Sequence, residues 1–320
     1  MKGMNRSIRL AALIALLGAA CAPALASGPI SVGHLYELSD FTGTLPYTDA
    51  TVVADPAHDE AYTLFANDVR VFNGTGMQIY AFSLDGAKGQ IVDLAVDDRG
   101  DLLTLTYAPL GADGRAPWTL ARADYRGRPI GPVELAIPDS LATFTPNRLV
   151  LRSGTIWLAS TTQMIAASFS SDGAFLRTID LAEVAGVAPA DRDSVGIRGF
   201  DVGPSGSVLF AVPTLFRVHV VAADGTTRSF GKVGSGAGNF GIVAGVAWDG
   251  NGNIIVSDRL RNVVMVFDEE FRFIREFGQS GSAKTRVAWP GGLSVGAGGK
   301  IYVSQLGNRG IAVFAINPEK

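Results

Sequence analysis

The chain has 320 residues, with 27 basic against 30 acidic side chains, three histidines and a single cysteine, Cys21. A formal charge of −3 argues against a nucleic-acid binder, which carries a basic balance. One cysteine excludes an internal disulfide, a multi-cysteine zinc or iron–sulfur site, and a CxxCH haem attachment; glycine, at 39 residues, exceeds the roughly 7% of average usage and fits a turn-rich β protein, because Gly reaches positive φ without steric cost.

The first 26 residues read as a secretory signal. "MKGMNRSIR" carries Lys2, Arg6 and Arg9 and no acid, "LAALIALLGAA" is apolar, and "ALA" at Ala24 to Ala26 supplies a small-residue cleavage site. Cleavage there leaves a single domain, residues 27–320, beginning at Ser27. It removes three of the 27 basic residues and no acidic one, so the charge moves from −3 to −6. "LLGAAC" also resembles a lipoprotein signal, so membrane attachment follows only if Cys21 is lipidated. The expectation is an exported protein, periplasmic or extracellular.

"ISVGHLYELSD" (Ile30 to Asp40) alternates as a strand. A repeated unit follows: an apolar strand, a polar turn ending near Gly, then a second apolar strand. Its copies are "TVVADPAHDEAYTLF" from Thr51, "VDLAVDDRGDLLTLTY" from Val92 and "NRLVLRSGTIWLAS" from Asn147. They continue with "RGFDVGPSGSVLFAV" from Arg198, "AGVAWDGNGNIIVSD" from Ala244 and "GGLSVGAGGKIYVSQ" from Gly291. Turn glycines at Gly100, Gly154, Gly206, Gly252 and Gly299 are 54, 52, 46 and 47 residues apart, the range of repeat architectures.

Each copy has room for two further strands. In "VRVFNGTGMQIYAFSL", Asn73-Gly74 predicts a type I′ hairpin. "APLGADGRAPW" (Ala108 to Trp118) and "EVAGVAPADRDSVG" (Glu183 to Gly196) read as surface loops. The sixth copy has three strands before Lys320, and Ile30 to Asp40 supplies the fourth. These elements predict an all-β fold: a six-bladed β-propeller of four-stranded antiparallel blades, closed by the N-terminal strand.

The stretch "FGKVGSGAGNFGIVAGVAWDGNGNIIVSDRLRNVVMVFD" resembles the NHL repeat. Phe230, Gly231, Gly234, Gly236, Gly238, Phe240, Asp249, Asp258, Asn262 and Phe267 match its pattern. The likeness is strong from Phe230 to Asn317 and topological elsewhere. It implies a six-bladed propeller; such propellers serve as binding modules, docking platforms and, less often, lyases or hydrolases.

Among chemical signals, "GKVGSGAG" lacks the Lys-Ser/Thr and following helix of a phosphate loop and reads as a blade connector. His34, His58 and His219 fall in separate units, and no serine has a nucleophile-elbow context. Propeller hydrolases resembling gluconolactonases bind a divalent cation at the channel mouth; Asp93, Asn147 and Asp258 are the candidates for that alternative, with hard oxygen ligands. No other cofactor is expected.

The suggestive set is cationic. Arg70, Arg148, Arg198, Arg259, Arg261 and Arg309, with Asn67, Asn262 and Asn308, fall in loops joining strands two and three or at first-strand starts. Trp118 lies near the blade-two loop. Guanidinium forks suit carboxylates, so the expected function is a non-catalytic binding or scaffolding module for a protein or small anionic ligand. Arg261 and Arg309 are equally readable as stitches between blades.

Overall fold

A computed structural model of the chain describes residues 30–84, 89–111, 116–279, 281, 283 and 285–318; the leader read over residues 1–26 lies outside the described residues. Strand β1 (Ile30–Glu37) and a small hairpin, β2 (Ser39–Asp40) with β3 (Gly43–Thr44), precede the first blade. Blade one is β4 (Thr51–Asp55), β5 (Glu60–Phe65), β6 (Asp68–Phe72) and β7 (Gln78–Ser83). Blade two is β8 (Gln90–Val96), β9 (Leu102–Tyr107), β10 (Trp118–Ala123) and β11 (Pro129–Pro132). Blade three is β12 (Arg148–Arg152), β13 (Thr155–Ser160), β14 (Ile165–Phe169) and β15 (Phe175–Asp180). Blade four is β16 (Arg198–Val202), β17 (Val208–Val212), β18 (Arg217–Val221) and β19 (Thr227–Phe230). Blade five is β20 (Val243–Trp248), β21 (Ile254–Asp258), β22 (Val263–Phe267) and β23 (Phe273–Gly278).

Blade six holds β24 (Pro290–Val295), β25 (Lys300–Gln305) and β26 (Ile311–Pro318), and β1 completes it. The closing pair is antiparallel and runs from Ile30 opposite Pro318 to Glu37 opposite Ala312. The predicted six-bladed, N-terminally closed ring is therefore the fold. Closure covers the edge of β26, which would otherwise present unpaired backbone groups.

A four-stranded sheet cannot bury both faces alone, and here each gap between neighbouring blades carries its own apolar cluster. Tyr62, Val71, Leu94 and Leu102 join blades one and two; Trp157, Ala166, Phe200 and Phe210 join three and four. Phe230, Phe240, Val256 and Met265 join four and five, while Tyr47, Phe72, Tyr302 and Val313 join six and one. Full burial of one such side chain stabilises by roughly 1.5–3 kcal/mol, so the ring is held by six modest cores rather than one large one.

Two local expectations change. Asn73 and Gly74 do not form a type I′ turn. Asn73 instead accepts hydrogen bonds from the Thr75 and Met77 amides, and Gly76 takes the left-handed conformation at φ 83°. The short Asn side chain replaces a backbone acceptor, which moves the positive φ two residues on. The Glu183 to Gly196 segment is not a plain loop. It forms helices α1 (Leu181–Ala185) and α2 (Arg192–Val195). Asp180 caps α1 by accepting from the Glu183 amide, Gly186 ends it at φ 70°, and Leu181 and Ala182 are buried against blades three and four.

Candidate functional site

The first strands of the six blades surround a channel of about 910 Å³. Each has one edge without a strand partner, so its backbone groups need acceptors from elsewhere. Some are supplied by the preceding blade. Asp93 accepts from the Leu149 amide at 2.8 Å, Asp201 from Trp248 at 2.8 Å, and Ser294 from Ala54 at 2.9 Å. Strand direction then gives the ring two unlike faces. The blade connectors and the loops joining strands two and three gather on the connector face. The turns joining strands one and two gather on the opposite, turn face.

On the connector face the channel mouth carries Arg148, Arg198 and Arg259. Arg198 is exposed and makes no hydrogen bond or ion pair with the described residues. Arg259 pairs with Asp49 at 3.0 Å, while its Nε is buried and meets no acceptor among the described residues. Arg148 donates to its neighbour's carbonyl, that of Asn147, and its charge lies close to Asp93. Burial pushes the Asp93 carboxyl up to about 6, against the opposing pull of Arg148 and the Leu149 and Leu94 amides.

Glycines let the first strands close up here. A Cβ on Gly245 would lie 2.6 Å from the Gly291 carbonyl oxygen, and one on Gly291 would strike Asp49. A larger residue at Gly245 would push blades five and six apart, and one at Gly291 would displace the Asp49 carboxylate from Arg259.

The turn face is acidic, and three of its aspartates are occupied. Asp55 accepts from the Ala57 and His58 amides, Asp97 from Arg99 and Asp101, and Asp249 from Asn251 and Asn253. Burial pushes Asp97 up, yet the amides of Arg99 and Asp101 and the Arg99 guanidinium prevail and hold its carboxyl below the usual range. Asp98 is exposed.

The structure thus brings three of the six candidate arginines to the channel and places the others elsewhere. Arg70 lies on β6, paired with Asp40 and Asp68 at 3.2 Å each and set over the Tyr47 ring. Arg261 donates to the Ser235 and Asn239 carbonyls and to both oxygens of Glu276. Arg309 donates to the Gly281 carbonyl at 2.8 Å. Both tie a strand two–three loop to the connector entering the same blade.

Asn67, Asn262 and Asn308 all take left-handed φ, at 72°, 57° and 58°, a conformation in which Asn is enriched. Each holds the connector to the next blade: Asn67 accepts from Ile91, Asn262 from Trp289, and Asn308 from the Thr48 hydroxyl. Trp118 donates to the Phe144 carbonyl.

The alternative metal set is dispersed. Asp258 accepts from the Gly241, Ile242 and Arg261 amides at 2.6–3.1 Å. Asn147 exchanges hydrogen bonds with Thr161, and Asp93 is engaged as described. Among the described residues, no three His, Cys, Asp or Glu side chains converge as a metal site. The histidines stay apart: His34 meets Glu37, His58 meets Asp55, and His219 stacks on Phe210 with its ring pushed down to about 4 by burial and by Arg217.

Sequence reading missed Asp49, Asp201 and Trp289. Asp201 had a signal, a carboxylate inside the apolar run "GFDV". Asp49 had none, since its partner Arg259 is 210 residues away. Trp289 stands just before the Pro that opens blade six, in the left-handed region at φ 46° and 59% exposed.

No protein-family model and no curated protein matches the chain. Solved structures do. A protein of unknown function from Bacteroides thetaiotaomicron aligns at 12% identity and TM-score 0.61, over 90% of this chain and 76% of that one. A streptogramin B lyase aligns at 12% identity and TM-score 0.57, over 90% and 98%. The selenomethionine-substituted virginiamycin B lyase from Staphylococcus aureus aligns at 12% identity and TM-score 0.52, with the same coverage. These likenesses are of fold; they show a propeller ring.

Proposed function

We propose that the chain is an NHL-type propeller, exported from the cell, that acts as a non-catalytic binding module and receives an anionic ligand or acidic protein segment at the connector-face mouth. The NHL reading is supported by what the signature positions do. Asp258 gathers the amides that open its blade, and Asn262 with Arg261 clasps the connectors. The observation that carries the binding reading is Arg198: an exposed, unpartnered guanidinium at a channel mouth that also holds Arg148 and Arg259. Guanidinium groups at a concave mouth, where solvent screening is reduced, attract carboxylates more strongly than the same groups on a flat surface.

The rival reading, a metal-dependent hydrolase or lyase, needs free oxygens. Those of Asp93, Asn147 and Asp258 already accept from backbone amides. Titration of the purified chain with hexaglutamate tests the binding reading. Binding should weaken at least tenfold in Arg198→Ala and fall with rising salt. Equal affinity in wild type, Arg198→Ala and Arg259→Ala, or no binding at all, would overturn it.

A further inference from the structure

The cationic mouth does not stand on a bare polar surface. On the connector face, large apolar side chains are exposed around it: Leu260 at 64%, Trp289 at 59%, Ile242 at 45% and Leu215 at 41%. None of the described strand one–two turns on the opposite face exposes a large apolar side chain. The strand three–four turns farther from the channel on that face do expose Tyr125 at 47% and Met77 at 36%, so the apolar group set beside a channel mouth is the one on the connector face.

These residues occupy one sector, blades four to six. Arg259 donates its amide to the Ile242 carbonyl, and Leu260 follows it in the same loop. A Cβ on Gly241 would lie 3.1 Å from the Leu260 Cβ, so the Gly241–Ile242 backbone runs alongside the Leu260 loop. Trp289 is fixed across the blade boundary by its amide, which donates to Asn262 at 2.7 Å. Leu215 ends the blade-four loop beginning at Pro213, which lines the channel with Arg198.

Trp289 is the unusual member. A bulky residue at φ 46° stores backbone strain, and burial of its own ring does not compensate, because the ring is mostly in solvent. Strain of this kind is retained where a fixed side-chain direction is used. An exposed Trp with a fixed backbone, on the same rim as Arg259 and the unpaired Arg198, has the composition of a binding hot spot: aromatic and Arg anchors with aliphatic surroundings.

Building on the binding role proposed above, we infer that the blade four-to-six sector docks a protein segment that is acidic at its centre and apolar at its flanks. Its carboxylates reach Arg198 and Arg259, and its apolar side chains cover Trp289, Leu260 and Ile242. Charge complementarity selects the acid. Shape selects a protruding segment over a lipid surface, because the arginines line a recessed mouth that a flat bilayer does not enter. A fully acidic ligand would leave the apolar rim exposed, and a fully apolar one would strand the guanidinium groups.

The test pans a random twelve-residue peptide library against the immobilised full chain, then measures selected peptides by fluorescence polarisation. The enriched peptides should pair acidic with aromatic or aliphatic residues. Their affinity should fall at least tenfold for Trp289→Ala, for Leu260→Ser and for Arg198→Ala, with melting temperatures unchanged in all three because the side chains are exposed. If enriched peptides are acidic without apolar flanks and bind Trp289→Ala as wild type, the docking surface is overturned while the cationic mouth stands. If they lack acidic residues and Arg198→Ala binds them unchanged, both readings fall. Failure to enrich any peptide overturns the docking surface. So does Trp289-dependent co-sedimentation with phosphatidylglycerol vesicles, which assigns the rim to a membrane instead.

Discussion

At one end of the channel Asp55, Asp97 and Asp249 each spend their oxygens on the amides of their own turn; at the other, the Arg198 side chain makes no bond to any described residue. The two mouths are made by the same six strands, yet the charge left uncommitted is a guanidinium, Arg198, on the connector face and a carboxylate, Asp98, on the turn face. A turn needs an acceptor near its amides, so an Asp there is explained by local geometry. The Arg198 side chain, at the start of its strand, has no such local task, and its charge stays available. Asking which charges are already satisfied separates the mouths by sign, leaving a guanidinium on one and the exposed Asp98 carboxylate on the other.

The largest test removes both mouths together. Deleting residues 30–40 should leave blade six with three strands and β26 exposed, with aggregation or a melting temperature lower by on the order of 10 °C. A truncated chain as stable as the intact one would show that the seam does not hold the ring.

Acid-dependence should distinguish the mouths next. Asp93 is raised by burial to about 6, so the folded state holds its proton over a range where the unfolded chain has lost it. Its contribution is greatest below the unfolded value near 4 and declines as pH rises through 6, by on the order of 3 kcal/mol. Asp97 is lowered, so its contribution is present above the unfolded value and is lost only as pH falls below it. Urea melts should therefore show Asp93→Asn most destabilised relative to wild type near pH 4, with the gap narrowing by pH 7. The gap for Asp97→Asn should do the opposite, opening as pH rises. Parallel behaviour of the two variants would erase the distinction.

Arg261→Ala should lower stability by about 1–3 kcal/mol through lost bonds to carbonyls and Glu276 and leave peptide affinity within twofold, measured by melts beside titration. The smallest effect is the most direct. Arg198→Glu should cost at least tenfold in binding of an acidic peptide, about 1.4 kcal/mol, whereas Asp98→Lys on the turn face should leave it unchanged. An equal response to both would mean that overall charge, not the connector-face mouth, draws the ligand.

Much of the ring was readable from the sequence because its signals are local. Turn glycines and alternating strands gave six units, and the three-stranded sixth copy pointed to Ile30 as the missing partner. The clasping Asn residues were visible at their loops, though their left-handed backbone was not. What stayed hidden depends on distant pairings. Asp49 meets Arg259 only after the ring closes, Asp201 looks like an error in an apolar strand until it finds the Trp248 amide, and Trp289 looks like a core residue until its φ turns it outward.

The seam also sets a timetable. Ser31 hydrogen-bonds Asn317, 286 residues later, so the first strand to be synthesised waits for the last. Five blades can assemble as they emerge, but the ring stays open until β26 has been made and shares one compartment with β1. A chain interrupted before β26 would carry a raw sheet edge, a mark that proteases and chaperones recognise.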